Sequence, residues 1–404
     1  MTEDDSPIDR AVAALPAGPL TPAGIAAHVA PLFTRVRAAY AGRVYLANHS
    51  LGRPLDAVED DVREALAGWY ARMGGVWDAW NAESDAFRAR IARLLGARRA
   101  DCVVPKTSAG QGLRAVLNTY DAPPRVVATR GEFDSLDVIL RTYAERGRIA
   151  LSFVEALDDV FAPDDIVAAI TEGTQLVVVS QVMFETGSIV ADLPAIVARA
   201  KSVGARVLLD VYHAIGVTPV DVAALDVDFA VGGSYKYLRG GPGACYLYIA
   251  PRHVDAGLAT LDTGWFAKES PFDYARPHPP RFAKGGDAWL ESTPAVLTLF
   301  QARAGQRFTL AIGVDRLRPH SLALQRRLVE LLAERGVVAR GGTPDRGAFV
   351  VLRDPRARVF ADALAQRGVV TDARGEWLRL CPDVLTEDAE LVTAADALAA
   401  VMHG

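Results

Sequence analysis

Between Cys102 and Ala250 the chain alternates short apolar runs with longer amphipathic stretches. The runs VVATR, RIALSFV, TQLVVVS, RVLLD, DFAVGG and ACYLYIA are rich in β-branched residues and short enough to be buried strands. Helical periodicity between most of them predicts an α/β fold, a mostly parallel sheet covered by helices on both faces. The last connection differs, because DFAVGG reaches ACYLYIA through a glycine-rich turn alone. That turn is too short for a helical crossover and predicts an antiparallel pair.

Outside this region the pattern changes. Residues 1–44 read as an acidic tail followed by a short helix from about Thr21 to Tyr40, and residues 56–96 carry long helical periodicity ending at Gly96. A Pro-rich segment over residues 270–282 predicts an irregular loop. A long helix follows from about Pro294, with a break near Val314 to Arg318. Residues 336–404 read as strand, strand, helix, strand, helix, a smaller α+β unit. The expected division is a large domain over 45–310 and a small one made of 1–44 and 311–404.

At 404 residues, 50% hydrophobic and 23% charged, the chain has the profile of a globular protein with a sizeable core. A net charge of −5 with interspersed signs argues against nucleic-acid binding. No apolar stretch approaches about 18 residues, so no membrane span is expected. The acidic N-terminus lacks a secretion-signal layout. Three scattered cysteines, Cys102, Cys245 and Cys381, suit a reducing cytoplasm and predict neither disulfides nor a structural metal.

The candidate chemistry lies at strand ends. Asp210 closes RVLLD, Tyr212 and His213 follow, and 26 positions after Asp210 DFAVGG leads through Ser234 and Tyr235 to Lys236 before a GGPG turn. That gap is about one strand–helix–strand unit, which brings acid and lysine to the same sheet edge. Asp210 alone reads equally well as a helix cap, and an isolated lysine as a surface charge; the pairing favours function. Pyridoxal 5′-phosphate requires such a pair, a lysine to hold its aldehyde and an acid to keep its pyridine nitrogen protonated. His213 is a candidate for the ring oxygen. Thr107 and Ser108, between an apolar strand and a helix start, read by themselves as an ordinary cap; beside the Asp210–Lys236 pair they are candidates for a phosphate site. Ser180, closing TQLVVVS, points to the same place, and Tyr235 is a candidate phosphate donor and proton relay.

The segment DVYHA…VDFAVGGSYKYLRGGPG resembles the pyridoxal-lysine region of fold-type-I, class V aminotransferase-like enzymes, and within them is most similar to kynureninase. YLANHSLGRP, EFDS, SQVMFETG, DTGWF, ESTP and GEWLRLCP resemble further family segments in the same order, from about residue 44 to 382. The resemblance implies a seven-stranded sheet, Phe133 stacked on the cofactor, Asn48 and Ser50 near the substrate, and Arg379 on the substrate carboxylate. It also implies a homodimer in which Trp265 and Thr293 reach the neighbouring subunit's phosphate. Glu185 stands where kynureninases often carry arginine or tyrosine, Asp134 replaces a proline, and PDVL replaces P-L-Y. These departures fall on substrate contacts; Trp77 and Trp80 are candidates to line an aryl pocket.

The reaction so implied is hydrolysis of the Cβ–Cγ bond of L-kynurenine or 3-hydroxykynurenine to an anthranilate and L-alanine. Desulfurase, epimerase and aminotransferase chemistry are the alternatives. A desulfurase needs a mobile cysteine, and Cys381 falls inside an apparent strand. A non-catalytic binding role is opposed by the intact set Asp210, His213, Tyr235 and Lys236.

Overall fold

The computed structural model describes residues 6–403, so the first five residues of the expected acidic tail lie outside the described residues. Seven strands form the main sheet: β1 (Val103–Lys106), β2 (Arg125–Thr129), β3 (Ala150–Val154), β4 (Leu176–Ser180), β5 (Arg206–Asp210), β6 (Phe229–Gly233) and β7 (Cys245–Ile249). Their spatial order is β1-β7-β6-β5-β4-β2-β3. β7 runs antiparallel to both of its neighbours, and the other strands all point one way. β4 and β6 are buried along their whole length, as strands covered on both faces must be. β3, at the edge, alternates exposed and half-buried residues.

Helices close against the sheet where small residues let them. In the helix Ala109–Leu117, a Cβ on Gly112 would lie 2.7 Å from Val231 Cγ1, and one on Gly110 2.7 Å from Ile139 Cδ1. At Gly112, against a strand valine, glycine is therefore what lets this helix approach the sheet so closely.

A second buried core joins a three-stranded antiparallel sheet (Val350–Arg353, Asp372–Arg374, Trp377–Leu380) to the helices Val314–Ala333, Ala357–Gln366 and Asp388–His403. Val44–Tyr45 pairs in parallel with Val369–Val370, which ties residues 44–47 to this unit. A third core packs the N-terminal segment on the helix Val296–Ile312, with Phe33 edge-on to Phe308 at 5.4 Å.

Several expectations are corrected. Pro7–Ala13, read as tail, is a helix capped by Ser6, with Ile8 buried and Asp9 paired to Arg307. The expected helix Thr21–Tyr40 is broken into short α, π and 3-10 turns, because Pro31 has no N–H to continue the ladder. Residues 56–96 divide into Ala57–Arg72 and Trp77–Leu94 at a turn containing Gly74 and Gly75, with Met73 at φ 47°. The break expected near Val314 is found beside it, at Gly313, φ 87°, and Pro319 is absorbed within the helix that follows. In the C-terminal unit the first expected strand shrinks to one bridge, Arg340 to Val351. The Pro-rich segment is irregular, as expected, with one short turn at Pro271–Asp273.

Candidate active site

All six strands that run one way end at the same edge, where the loops after β1, β2, β4, β5 and β6 enclose a cavity of about 180 Å³. Thr107, Ser108, Phe133, Ser180, Asp210, His213, Tyr235 and Lys236 all line it. Ser180 and Asp210 are register partners at the ends of β4 and β5.

Lys236 is 4% exposed, and its Nζ lies 2.6 Å from His213 Nε2. The rings of Tyr212 and Phe133 stand 4.7 and 5.2 Å from the same nitrogen. Burial pushes the lysine down to about 7, although the Asp210 charge pulls the other way. Burial likewise raises Asp210 to about 6, opposed by the Tyr212 N–H, which donates to Oδ1 at 2.7 Å, and by the Lys236 charge. His213 is held well below its ordinary range, first by burial and then by the lysine, and its Nδ1 has no partner.

The lining fits pyridoxal 5′-phosphate. Buried Lys236 can reach an uncharged, nucleophilic form near neutral pH, and Asp210 faces the same space as a carboxylate. Phe133 offers an aromatic face. Ser108, whose Oγ accepts from Gln111 N at 3.1 Å, starts a helix whose first-turn N–H groups suit a phosphate.

The remaining expected residues lie elsewhere in the chain. Trp265 belongs to an aromatic group with Phe266, Phe272 and Tyr274, which Trp77 and Trp80 extend. Thr293 lines a neighbouring recess that also contains Thr107. Asn48 Nδ2 donates to the Cys381 carbonyl at 2.9 Å, and Ser50 Oγ to Asp372 at 2.6 Å. Arg379 already holds an internal carboxylate: Nε and Nη2 donate to Asp372 at 2.8 and 2.6 Å, and Nη1 to the carbonyl of Phe184, a cavity residue.

Sequence reasoning passed over two partners. Glu132, 2% exposed, accepts from Ser180 N at 3.0 Å, Ser180 Oγ at 2.7 Å and Thr129 Oγ1 at 2.6 Å. Its only signal was its place in EFDS. For Asp372 the only signal was the glycine at Gly375, a turn residue; the hairpin that forms there puts Asp372 opposite Arg379.

Residues 55–376 match the aminotransferase class-V family, and the chain belongs to it. Within that family it is kynureninase-like, and pyridoxal 5′-phosphate is the cofactor its membership and site indicate. It is 30% identical to a kynureninase of Deinococcus radiodurans over 343 residues, 81% of this chain and 78% of that one. An uncharacterized aminotransferase, YcbU of Bacillus subtilis, is 28% identical over 351 residues, covering 85% of this chain and 91% of that one. Among solved structures, the cysteine desulfurase CsdA of Escherichia coli superposes with a TM-score of 0.79 at 17% identity, over 96% of this chain and 99% of that one. A C-DES mutant carrying glycine covalently linked to its PLP cofactor superposes with a TM-score of 0.81, also at 17% identity, over 91% of this chain and 98% of that one.

Among the described residues no helix is long and apolar enough to cross a membrane, and no cluster of His, Cys, Asp and Glu is arranged to hold a metal ion.

Proposed function

We propose that the protein hydrolyses the Cβ–Cγ bond of L-kynurenine or 3-hydroxykynurenine, releasing an anthranilate and L-alanine. The observation that carries this reading is Lys236, buried and near-neutral, sharing one cavity with Asp210 in a chain 30% identical to a kynureninase.

When bound, the cofactor supplies an electron sink for the carbanion formed on the substrate. Asp210, a buried carboxylate in the same cavity, would hold the proton on the cofactor's ring nitrogen that makes this sink effective. Arg379, fixed by Asp372, binds the substrate carboxylate. Lys236 removes the substrate's α-proton through the uncharged form that burial favours. Water adds to the γ-carbonyl, the Cβ–Cγ bond breaks to release the anthranilate, and Cβ takes a proton to become the methyl of alanine. Tyr235, half-buried at the cavity wall, relays that proton.

The proposed assembly is a homodimer with Trp265 and Thr293 facing the partner's cavity; the exposed Phe272, Tyr274 and Phe282 are consistent with a covered surface. The division into 45–310 and 1–44 with 311–404 belongs to the same proposal.

A desulfurase reading is weaker, because Cys381 is 1% exposed and its thiol donates to the Ala348 carbonyl at 3.2 Å. Incubating holoenzyme with L-kynurenine and following anthranilate fluorescence tests the proposal. Anthranilate and alanine in equal amounts are expected; folded holoenzyme that yields neither refutes it.

A further inference from the structure

Asp372 is the hub of a small charged network beside the cavity. Its oxygens accept from Arg379 Nε and Nη2, from Ser50 Oγ, and from His49 Nε2 at 2.7 Å. Burial pushes His49 down to about 4, so it is neutral at pH 7 and adds no charge. One carboxylate therefore cancels one guanidinium, and Arg379 by itself presents no net positive charge to an incoming anion. The Arg379 charge is also felt by half-buried Glu185, which cannot make the place more cationic.

Arg374 stands on the same hairpin, its Nη2 3.7 Å from Asp372 Oδ2 and its Nη1 donating to the Ala373 carbonyl at 2.9 Å. Its side chain is 39% exposed. Through Asp372 it joins Arg379, which reaches the cavity-lining Phe184, and its charge opposes protonation of both Lys236 and Tyr235.

We propose that Arg374 is a specificity-determining residue that supplies the net positive charge for the substrate's carboxylate, with Asp372 as the positioning residue that orients Arg379 and links the two guanidiniums. Three of the five N–H groups of Arg379 are engaged by Asp372 and Phe184. The remaining two give directional hydrogen bonds to the ligand, while Arg374 balances its charge. Directionality and charge are thus divided between two arginines. The inference rests on the amino-acid-acting enzyme proposed above.

Titrating holoenzyme with L-alanine and with L-alaninamide, while following the cofactor's visible absorption, separates the two ideas. Alaninamide keeps the amine and lacks the anionic carboxylate. Arg374→Gln is expected to weaken L-alanine binding about tenfold or more, the range of a charge-assisted contact, and to leave alaninamide within about twofold. Arg374→Lys, which keeps the charge, is expected to recover most of the loss. L-alanine affinity unchanged in Arg374→Gln, or equal weakening of both ligands, overturns the inference and leaves the enzymatic reading standing. Should Arg374→Gln not fold, wild-type affinity for L-alanine that is no tighter than for alaninamide overturns it instead. No spectral response of wild-type holoenzyme to L-alanine overturns the inference, while the enzymatic reading stands or falls on the anthranilate assay.

Discussion

Lys236 Nζ lies 2.6 Å from His213 Nε2, within hydrogen-bond distance. Both groups are almost fully buried, so two cations in contact are excluded and His213 stays neutral. Nε2 then accepts from the lysine, which leaves the ring proton on Nδ1, an atom without a partner among the described residues.

Cofactor capture by the apo-protein is expected to speed up with pH through a midpoint near 7 rather than near 10.5, the lysine's ordinary value. Growth of the visible cofactor band after mixing measures it, and a midpoint above pH 9 contradicts the placement. The stability linkage has the same sign. An unfolded lysine keeps its proton up to about 10.5 while the folded one sheds it near 7, so apo-protein stability rises with pH across that window. Lys236→Met is expected to flatten the rise seen in denaturant melts and to abolish the cofactor band.

Among the described residues, the groups that bond to Glu132 are neutral donors, two from Ser180 and one from Thr129. Three donors favour its charged form, yet burial wins and lifts it to about 7 from 4.5. The folded state therefore binds more protons than the unfolded one between those values, and this contribution to stability is lost as pH rises from 4.5 through 7. Apo Glu132→Gln should show less loss between pH 5 and 8 than wild type. Because the amide can donate to Ser180 Oγ, the variant also turns that hydroxyl's proton toward the cavity. A shift in the cofactor's absorption maximum is expected; identical spectra and identical melts exclude the role.

Gly52 packs on the lysine's own backbone. Its N–H donates to the Tyr235 carbonyl at 2.8 Å, and an added Cβ would fall 2.0 Å from the Lys236 carbonyl oxygen. Gly52→Ala must push the lysine segment away, at an expected loss of about 1–3 kcal/mol in stability. Weakened cofactor retention on dialysis should accompany it. A variant as stable as wild type with full cofactor occupancy contradicts the close approach.

The Cys381 thiol faces the Ala348 carbonyl, and burial pushes its pKa up, away from thiolate chemistry. Alkylating agents should leave it unmodified in the native protein, and Cys381→Ala should retain turnover with a stability loss of about 1 kcal/mol. Loss of turnover in a well-folded variant would return the desulfurase reading to first place.

The strand–helix alternation from Cys102 to Ala250 was written in local pattern. A β-branched run must be buried as a strand, and each helical link must return the chain to the same edge, so Ser180, Asp210 and Lys236 were legible together. The pairing of β1 with β7, the union of Val44–Tyr45 with Val369–Val370, and the bond from Glu132 to Ser180 carry no periodic signal. They join residues far apart along the chain, and only packing determines which distant groups meet. Arg379 divides the same way: the resemblance set it on a substrate carboxylate, and the folded hairpin adds Asp372 as a partner within the chain, because cross-strand register brings the two residues opposite each other.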